Sequence, residues 1–519
     1  MAGGKNFPLT IAQAMEELPL PERGANGKPL HNLAEIVLRN ARLHPAAPAL
    51  IFAETIISHR QAAQGVRALA AKLSNSGVRA GQTVGVTMGQ NPLHLLTQLA
   101  LAYLGAVALP LHPAVPADRR LLAARRYGVS IVISGRQEHA LEGFPFALVQ
   151  MADIAVPSEH PAHDTAPADP LRIALSSGTS GDPKGVLFSH GYMLSRLRRT
   201  GMDFDTHTRL LSMDLNFAVG FVYALAALAF GGAVVFTLDD TPGNVIRVAR
   251  LYAVTHWQIS PAAAGQIAAF LPEDDWHFPD LRCLRLNGAM PSRTLVDTLF
   301  HRFTPHVHAT YASTECGVVA HAGPDLLAQR PDCAGHIAPW MAVQAVDGHD
   351  QPLPAGQTGR LRIRAEGMPG GYHLDPDHSA ARFRGGWYYP GDLGHIDLEG
   401  LLSIAGREDD VINVNGTKIR FNDVEHVFES HPAVREAAAF IARDPAGREQ
   451  LALAFVAKGP VAIGELERHG RERLGPLAPR LIFQADEFPH TETGKVLRGS
   501  LTARFSADGG TAPSRDDQR

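Results

Sequence analysis

The sequence predicts an α/β fold over most of the chain, followed by a smaller α+β module. Three observations carry this. Short apolar runs alternate with helical stretches as far as Gly400; Ala405–Lys418 turns polar and charged; beyond it the order is helix, strand, strand, helix. At 519 residues the chain is too long for one hydrophobic core, so two to four domains are expected.

Thr83–Met88 (TVGVTM) reads as a buried strand. Asn91 followed by Pro92 marks a helix start, with asparagine as cap and proline at the first helical position. That helix should reach Leu104, where Gly105 stops it, and Val107–Leu111 should be the next strand. Val129–Ser134, Ala233–Leu238, Thr255–Ser260 and Cys283–Leu286 are further strands with helices between them, which favours largely parallel sheets. Phe217–Phe236 is the longest apolar stretch, but Gly220, Gly231 and Gly232 interrupt it. It reads as buried helix then strand, and no run is long enough to span a membrane. Met151–Pro170, rich in Pro, Ala and Asp, reads as a surface linker. In the C-terminal module Asp423–Ser430 and Gly464–Leu474 are helical, and Ala437–Ile441 and Leu451–Val456 are strands. Residues 506–519 carry few apolar side chains and read as a disordered tail.

Composition narrows the function classes. Apolar residues make up 45% and charged residues 19%, an ordinary soluble balance. With 48 basic and 52 acidic residues the net charge is −4, so no basic excess points to nucleic acid. Cys283, Cys316 and Cys333 fit neither a disulfide framework nor zinc spacing, and a reducing cytoplasm is the expected location. Met1–Leu20 lacks the basic-then-apolar order of a signal peptide. The 25 histidines are scattered with no H-E-x-x-H pattern, so they read as surface or satisfied core residues rather than metal ligands.

The sharpest chemical signal is Ser176–Gly185, SSGTSGDPKG, which follows the apolar run Ile173–Leu175 and precedes Val186–Phe188. Glycines let backbone N–H groups approach an anion, hydroxyls add donors and Lys184 adds positive charge, which is the chemistry of a polyphosphate cradle. The order is not that of a Walker A loop. Such composition also makes flexible linkers, so the segment alone leaves both readings open.

Four further segments decide the matter. SSGTSGDPKGV is similar to the signature loop of the adenylate-forming superfamily, which includes acyl-CoA synthetases, peptide-synthetase adenylation domains and beetle luciferases. Tyr311-Ala312-Ser313-Thr314-Glu315 resembles the family's Y-G-x-T-E element, and Trp387–Asp392 (WYYPGD) resembles W-x-x-T-G-D. Gly406-Arg407-Glu408-Asp409-Asp410, continuing to Gly416, resembles the hinge element, and Pro489–Arg498 (PHTETGKVLR) resembles P-x-T-x-x-G-K-x-x-R. All five stand in the family's order over more than half the chain.

The resemblance implies residues 1–408 as an ATP- and acyl-binding domain of mixed sheets with flanking helices, and 409–505 as a small mobile α+β domain. It implies that Ser177, Gly178, Thr179, Ser180, Gly181, Lys184, Gly288, Ala289 and Tyr311 bind ATP, with Thr179, Ser180 and Lys184 on the β- and γ-phosphates and Tyr311 packed on the adenine. Asp392 and Arg407 would hold the ribose, Thr314 the α-phosphate and Glu315 a Mg²⁺ ion. Lys495 would bridge the acyl carboxylate and α-phosphate, Asp409 would be the hinge, and Gly416 would line the channel for coenzyme A. The acyl pocket would take Asn216, Phe217, Gly220, Gly288, Met290 and Ala312. These are small or apolar with no carboxylate among them, so a fatty or aryl acid is expected rather than an amino acid.

Three departures stand out: Ala312 replaces the glycine of Y-G-x-T-E, Pro390 replaces threonine, and Phe217 stands where many relatives have histidine. The implied activity is an AMP-forming acid–thiol ligase, a monomer or homodimer, with coenzyme A as acceptor. A separate acyl carrier protein is the alternative acceptor, since no carrier domain is read after residue 505, and a non-catalytic scaffold is the remote one.

Overall fold

The computed structural model describes residues 30–158, 160–176, 184–272, 276–408, 411–414, 417–443, 449–489 and 496–506. Internal contacts divide the chain into two compact units. One comprises residues up to Val343 with Ile363–Tyr388, the other Gln344–Arg362 with residues from Tyr389 onward.

The first unit is α/β and holds two sheets. One runs in the spatial order Phe146–Leu148, Val129–Ser134, Thr83–Thr87, Val107–Pro110, Pro170–Ser176, Lys184–Ser189, and only its last pair is antiparallel. The other runs Thr55–Ser58, Pro48–Phe52, Ala233–Phe236, Arg209–Leu211, His256–Ile259, Cys283–Leu286, Val307–Ser313, Gly317–Ala322, Cys333–Ile337. It is parallel through its middle and antiparallel at both ends. Helices Pro92–Tyr103 and Ala218–Ala229 join both sheets in one core. A helix that is apolar all round must be buried all round, and of these two helices only Val219 is not fully buried. The strands expected from the sequence in this unit all form, with ends within about two residues, the usual uncertainty of a boundary. Asn91 caps its helix as expected, its side chain accepting from the His94 N–H.

Met151–Pro170 lies at the surface as expected, only Thr165 among its described residues being buried, but it is tied down along its length. Asp153 pairs with Lys72 at 2.6 Å, and Ile154 fills the space above Gly65. The Tyr103 hydroxyl donates to the His160 carbonyl at 2.9 Å, and buried Thr165 accepts from Asn32 Nδ2 at 3.0 Å. Proline and alanine lower the entropy of an irregular segment as well as marking one, and composition does not separate the two cases.

In the second unit Asp392–Ile396 and Leu401–Arg407 form an antiparallel hairpin, paired through Leu393 and Gly394 with Arg360 and Gly359. Further on, strands Val434–Arg443, Glu449–Ala457 and Leu481–Ala485 form a small mixed sheet. Its alternating residues split between two clusters, one with helices Phe421–Glu429 and Ile463–Leu474, the other with helix Arg498–Ser506. The α+β expectation for this part holds. Among the described residues no helix is long and apolar enough to cross a membrane.

Two core histidines couple this fold to pH. His94 and His190 are fully buried, and burial pushes each imidazole down to about 4. Below about pH 6.5 the unfolded chain takes up protons that the folded chain refuses, so stability falls as pH drops from 6.5 towards 4. Each ring should contribute a slope of up to about 1.4 kcal/mol per pH unit. The thermal midpoint measured from pH 7 to 4.5 should fall in that window, and His190→Gln should flatten the curve; a flat wild-type curve would refute the assignment.

Candidate active site

The Pro170–Ser176 and Lys184–Ser189 hairpin brings the two ends of the glycine-rich loop together, with Ser176 opposite Lys184. Ser177, Gly178, Thr179, Ser180 and Gly181 lie outside the described residues, as do Asp409, Gly416 and Lys495. The hairpin's exit is fixed on both sides of Gly185. Its N–H donates to the Tyr127 hydroxyl at 2.7 Å, and its carbonyl accepts from the His373 N–H at 2.7 Å. The Lys184 ammonium lies 5.5 Å from the centre of the Tyr372 ring. Burial and the nearby Arg382 charge lower its pKa, against the pull of Asp375 and Glu315.

Tyr372 leads to Glu315. Its hydroxyl donates to Glu315 Oε1 at 3.0 Å, while Tyr192 donates to the Glu315 carbonyl at 3.0 Å. Glu315 is only 4% exposed. Thr314 is held from the same side, its carbonyl accepting from Arg196 at 3.3 Å. Tyr192 and Arg196 belong to helix His190–Thr200, which Ser189 caps directly after the loop hairpin. One continuous segment, 184–200, therefore carries the loop lysine and the residues that steady Thr314 and Glu315. Tyr311 and Ala312 sit at a bulge in the Val307–Ser313/Gly317–Ala322 hairpin. Bulges re-aim side chains, and here one does so just before the Thr–Glu pair. Tyr372, Tyr192 and Arg196 have no sequence signal of their own, because they reach the site from distant segments.

Gly288 follows the Cys283–Leu286 strand with a φ of 97°, and Ala289 and Met290 beyond it are exposed. In the second unit Asp392 and Arg407 stand opposite each other on the hairpin, 3.3 Å apart. Arg407 also donates to the Pro390 carbonyl at 3.0 Å, so that loop is tied to its neighbour strand.

The predicted acyl loop is more polar than its sequence implies. Asn216 is buried and donates to the Met88 carbonyl at 3.0 Å and to Asp214 Oδ1 at 2.7 Å. Phe217 stacks against His112, ring centres 6.2 Å apart. His112 Nδ1 accepts from the Ala114 N–H, which leaves its proton on Nε2, facing Asp214 Oδ2 at 3.5 Å. Burial raises the Asp214 carboxyl, but hydrogen bonds from His112 and Asn216 outweigh it and hold it below its ordinary value. An imidazole and a carboxylate thus stand beside Phe217, although the sequence places neither in the pocket.

Arg172 was also not singled out by sequence. It is fully buried and donates to the carbonyls of Leu215 at 2.9 Å and Asn216 at 2.8 Å, with its plane over Phe221. The available signal was an arginine inside the apolar run Leu171–Leu175.

Gly220 has a structural duty beyond lining a pocket. A Cβ there would lie 2.2 Å from the Asp214 carbonyl oxygen and 2.3 Å from that of Met213. Both are backbone atoms, so Gly220→Ala should cost about 3 kcal/mol through forced overpacking. Denaturant unfolding checks this, and an unchanged midpoint would show that the loop yields.

Residues 37–373 match the family described as AMP-binding enzyme, and residues 423–495 match the AMP-binding enzyme C-terminal domain. The chain is 26% identical over 508 residues to a 4-chlorobenzoate–CoA ligase of an Arthrobacter species, covering 92% of this chain and 96% of the relative. It is 29% identical over 507 residues to an indoleacetate–CoA ligase of Aromatoleum aromaticum, covering 90% and 97%. Its fold matches an anthranilate CoA ligase solved with anthranoyl-AMP, with a TM-score of 0.83 at 21% identity over 95% of this chain and 99% of that one. With the loop hairpin, the buried Glu315 and the Asp392–Arg407 pair in place, and a family match spanning well over half its length, the chain belongs to the AMP-binding enzymes, the adenylate-forming ligases.

Proposed function

We propose that the chain joins an aryl carboxylic acid to AMP, releasing pyrophosphate, and then passes the acyl group to the thiol of coenzyme A. The observation that carries this is the buried Glu315 beside Lys184, bridged by Tyr372. A carboxylate is a poor electrophile because it is anionic and lacks a leaving group. The acid oxygen attacks the α-phosphorus of ATP, pyrophosphate departs, and AMP becomes the leaving group for the thiol. Crowded phosphate charge has to be met by cations and donors already in position. In this reading Lys184 meets the outer phosphates, Thr314 the α-phosphate, and Asp392 accepts from the ribose hydroxyls. Glu315 is a hard anionic oxygen donor, which fits Mg²⁺ and not a soft metal. When bound, Mg²⁺ supplies charge neutralisation at the phosphates. Tyr372 keeps the Glu315 carboxylate oriented for it, and Tyr192 holds the Glu315 backbone carbonyl.

The aromatic-acid names of the relatives favour an aryl substrate, and their CoA-ligase names favour coenzyme A. In this reading the mobile domain begins at the hinge residue Asp409, inside the second compact unit that also holds Gln344–Arg362 and residues 389–408, and it carries Lys495. The test is nucleotide chromatography after incubation with Mg²⁺, ATP, an acid panel and coenzyme A. AMP and pyrophosphate are expected, formed only with acid; ADP as the main product would overturn the assignment.

A further inference from the structure

The small sheet of the second unit has an edge that side chains close. Strand Val434–Arg443 pairs with Glu449–Ala457 on one side and, among the described residues, with no strand on the other. An open strand edge leaves a row of N–H and C=O groups to be satisfied. Alternate residues present theirs to the same side, and here Ala437, Ala439 and Ile441 do so. The Ala439 N–H donates to Glu425 Oε1 at 2.9 Å, and its carbonyl accepts from Arg498 Nε at 3.1 Å. The Ala437 N–H donates to the Glu429 carboxylate, and the Ile441 carbonyl accepts from the Thr502 hydroxyl at 2.9 Å. Glu425 and Glu429 share helix Phe421–Glu429, while Arg498 and Thr502 share helix Arg498–Ser506. Each pair is spaced i, i+4 and so lies on one helix face. One helix serves the N–H groups and the other the carbonyls.

Arg498 does more than this closure needs. Thr502 satisfies its carbonyl with a single donor. The Arg498 guanidinium satisfies Ala439 and also donates from Nη2 to both oxygens of Glu425, at 2.8 and 3.1 Å. Its central carbon lies 5.6 Å from the centre of the Phe421 ring. The two side chains are 27% and 14% exposed, so water screens this pair less than a surface ion pair. A planar guanidinium held in this way is fixed in direction as well as in distance. Glu425 in turn stands on a packed helix, since Phe421, Val424 and Phe428 are buried in one apolar cluster.

Arg498 follows Lys495 by three residues. Just before it the Leu497 N–H donates to the Pro489 carbonyl at 2.8 Å, and Val496 packs with buried Phe488 and Leu501. The segment that contains Lys495 is thereby closed at its base, and Arg498 ties that base to helix Phe421–Glu429. We infer that Arg498 and Glu425 are positioning residues for Lys495, fixing the base from which its ammonium is presented for acyl-adenylate formation. This rests on the role proposed above for Lys495 in that step. Closure of the strand edge alone would act on both half-reactions alike, through the fraction of enzyme folded. Positioning acts only on the half-reaction that uses the lysine.

The test measures pyrophosphate release with acid, ATP and Mg²⁺ separately from thioester formation with supplied acyl-adenylate and coenzyme A. Arg498→Met keeps the side-chain length and the apolar contact with Phe421. It should lower kcat for adenylation by roughly 10–10², the loss expected when a reacting group is misplaced by about 1 Å, with KM for ATP unchanged. Thioester formation should fall far less. Glu425→Gln still offers Ala439 an amide oxygen, so it keeps the edge closed and should slow adenylation in the same selective way should Arg498→Met fail to fold. In a Lys495→Ala background Arg498→Met should add no further loss, because a residue that acts through the lysine has nothing left to position. Equal losses in the two half-reactions, a further loss on top of Lys495→Ala, or undiminished adenylation in the single variants would each overturn the inference and leave the ligase reading standing. Undiminished adenylation in Lys495→Ala itself would overturn the reading beneath it.

Discussion

Lys495→Ala is expected to slow acyl-adenylate formation by roughly 10²–10⁴, the range for removing a preorganised electrostatic group. The ammonium is proposed to neutralise charge that develops between the acid and the α-phosphate, so its contribution exists mainly in that transition state. Thioester formation from pre-made acyl-adenylate and coenzyme A needs no such charge and should be largely spared. The two half-reactions are measured separately, the first by pyrophosphate release and the second by loss of supplied adenylate. Equal losses in both would show that Lys495 serves the fold or the thiol step rather than adenylation.

Glu315→Gln should be nearly as damaging, lowering kcat/KM for MgATP by roughly 10²–10³. The substitution keeps the shape and leaves Tyr372 an amide oxygen to donate to, so it removes charge with little change in packing. The variant should also need more Mg²⁺ to saturate. Tyr372→Phe is the paired measurement. It keeps the carboxylate and deletes one hydrogen bond to a charged group, worth about 1.5 kcal/mol, so a loss of about tenfold is expected. If Tyr372→Phe were the worse of the two, Glu315 would matter through its packing and not through its charge.

These predictions rest on residues whose legibility in the sequence differed. Strands such as Thr83–Thr87 and Cys283–Leu286 were readable because hydrophobic runs bounded by glycine, proline or asparagine have few other solutions. Glu315, Asp392 and Arg407 were readable through ordered motifs, and the last two indeed stand opposite each other. Tyr372 was not, because its partner lies 57 residues earlier and nothing local marks the pairing. Nor was the burial of the polar face of strands His256–Ile259 and Cys283–Leu286. HWQI and CLRL alternate in the way a half-solvated strand does, and only the third dimension shows Tyr223 of helix Ala218–Ala229 packed against Arg285, where water would be. The Met151–Pro170 reading held as to exposure, but composition cannot tell a loose connector from one strapped down by Asn32, Lys72 and Tyr103.

Arg172 has a thermodynamic consequence. It is the third residue of the strand that runs into the phosphate loop, and its guanidinium grips the carbonyls of Leu215 and Asn216 in the acyl loop. One buried side chain thus joins the strand before the phosphate loop to the acyl loop, a route by which binding at one would be coupled to binding at the other. Linkage is then reciprocal: whatever factor a bound acid adds to nucleotide affinity, the nucleotide must return to the acid. Whichever substrate enters first, the second would feel a coupling of the same size.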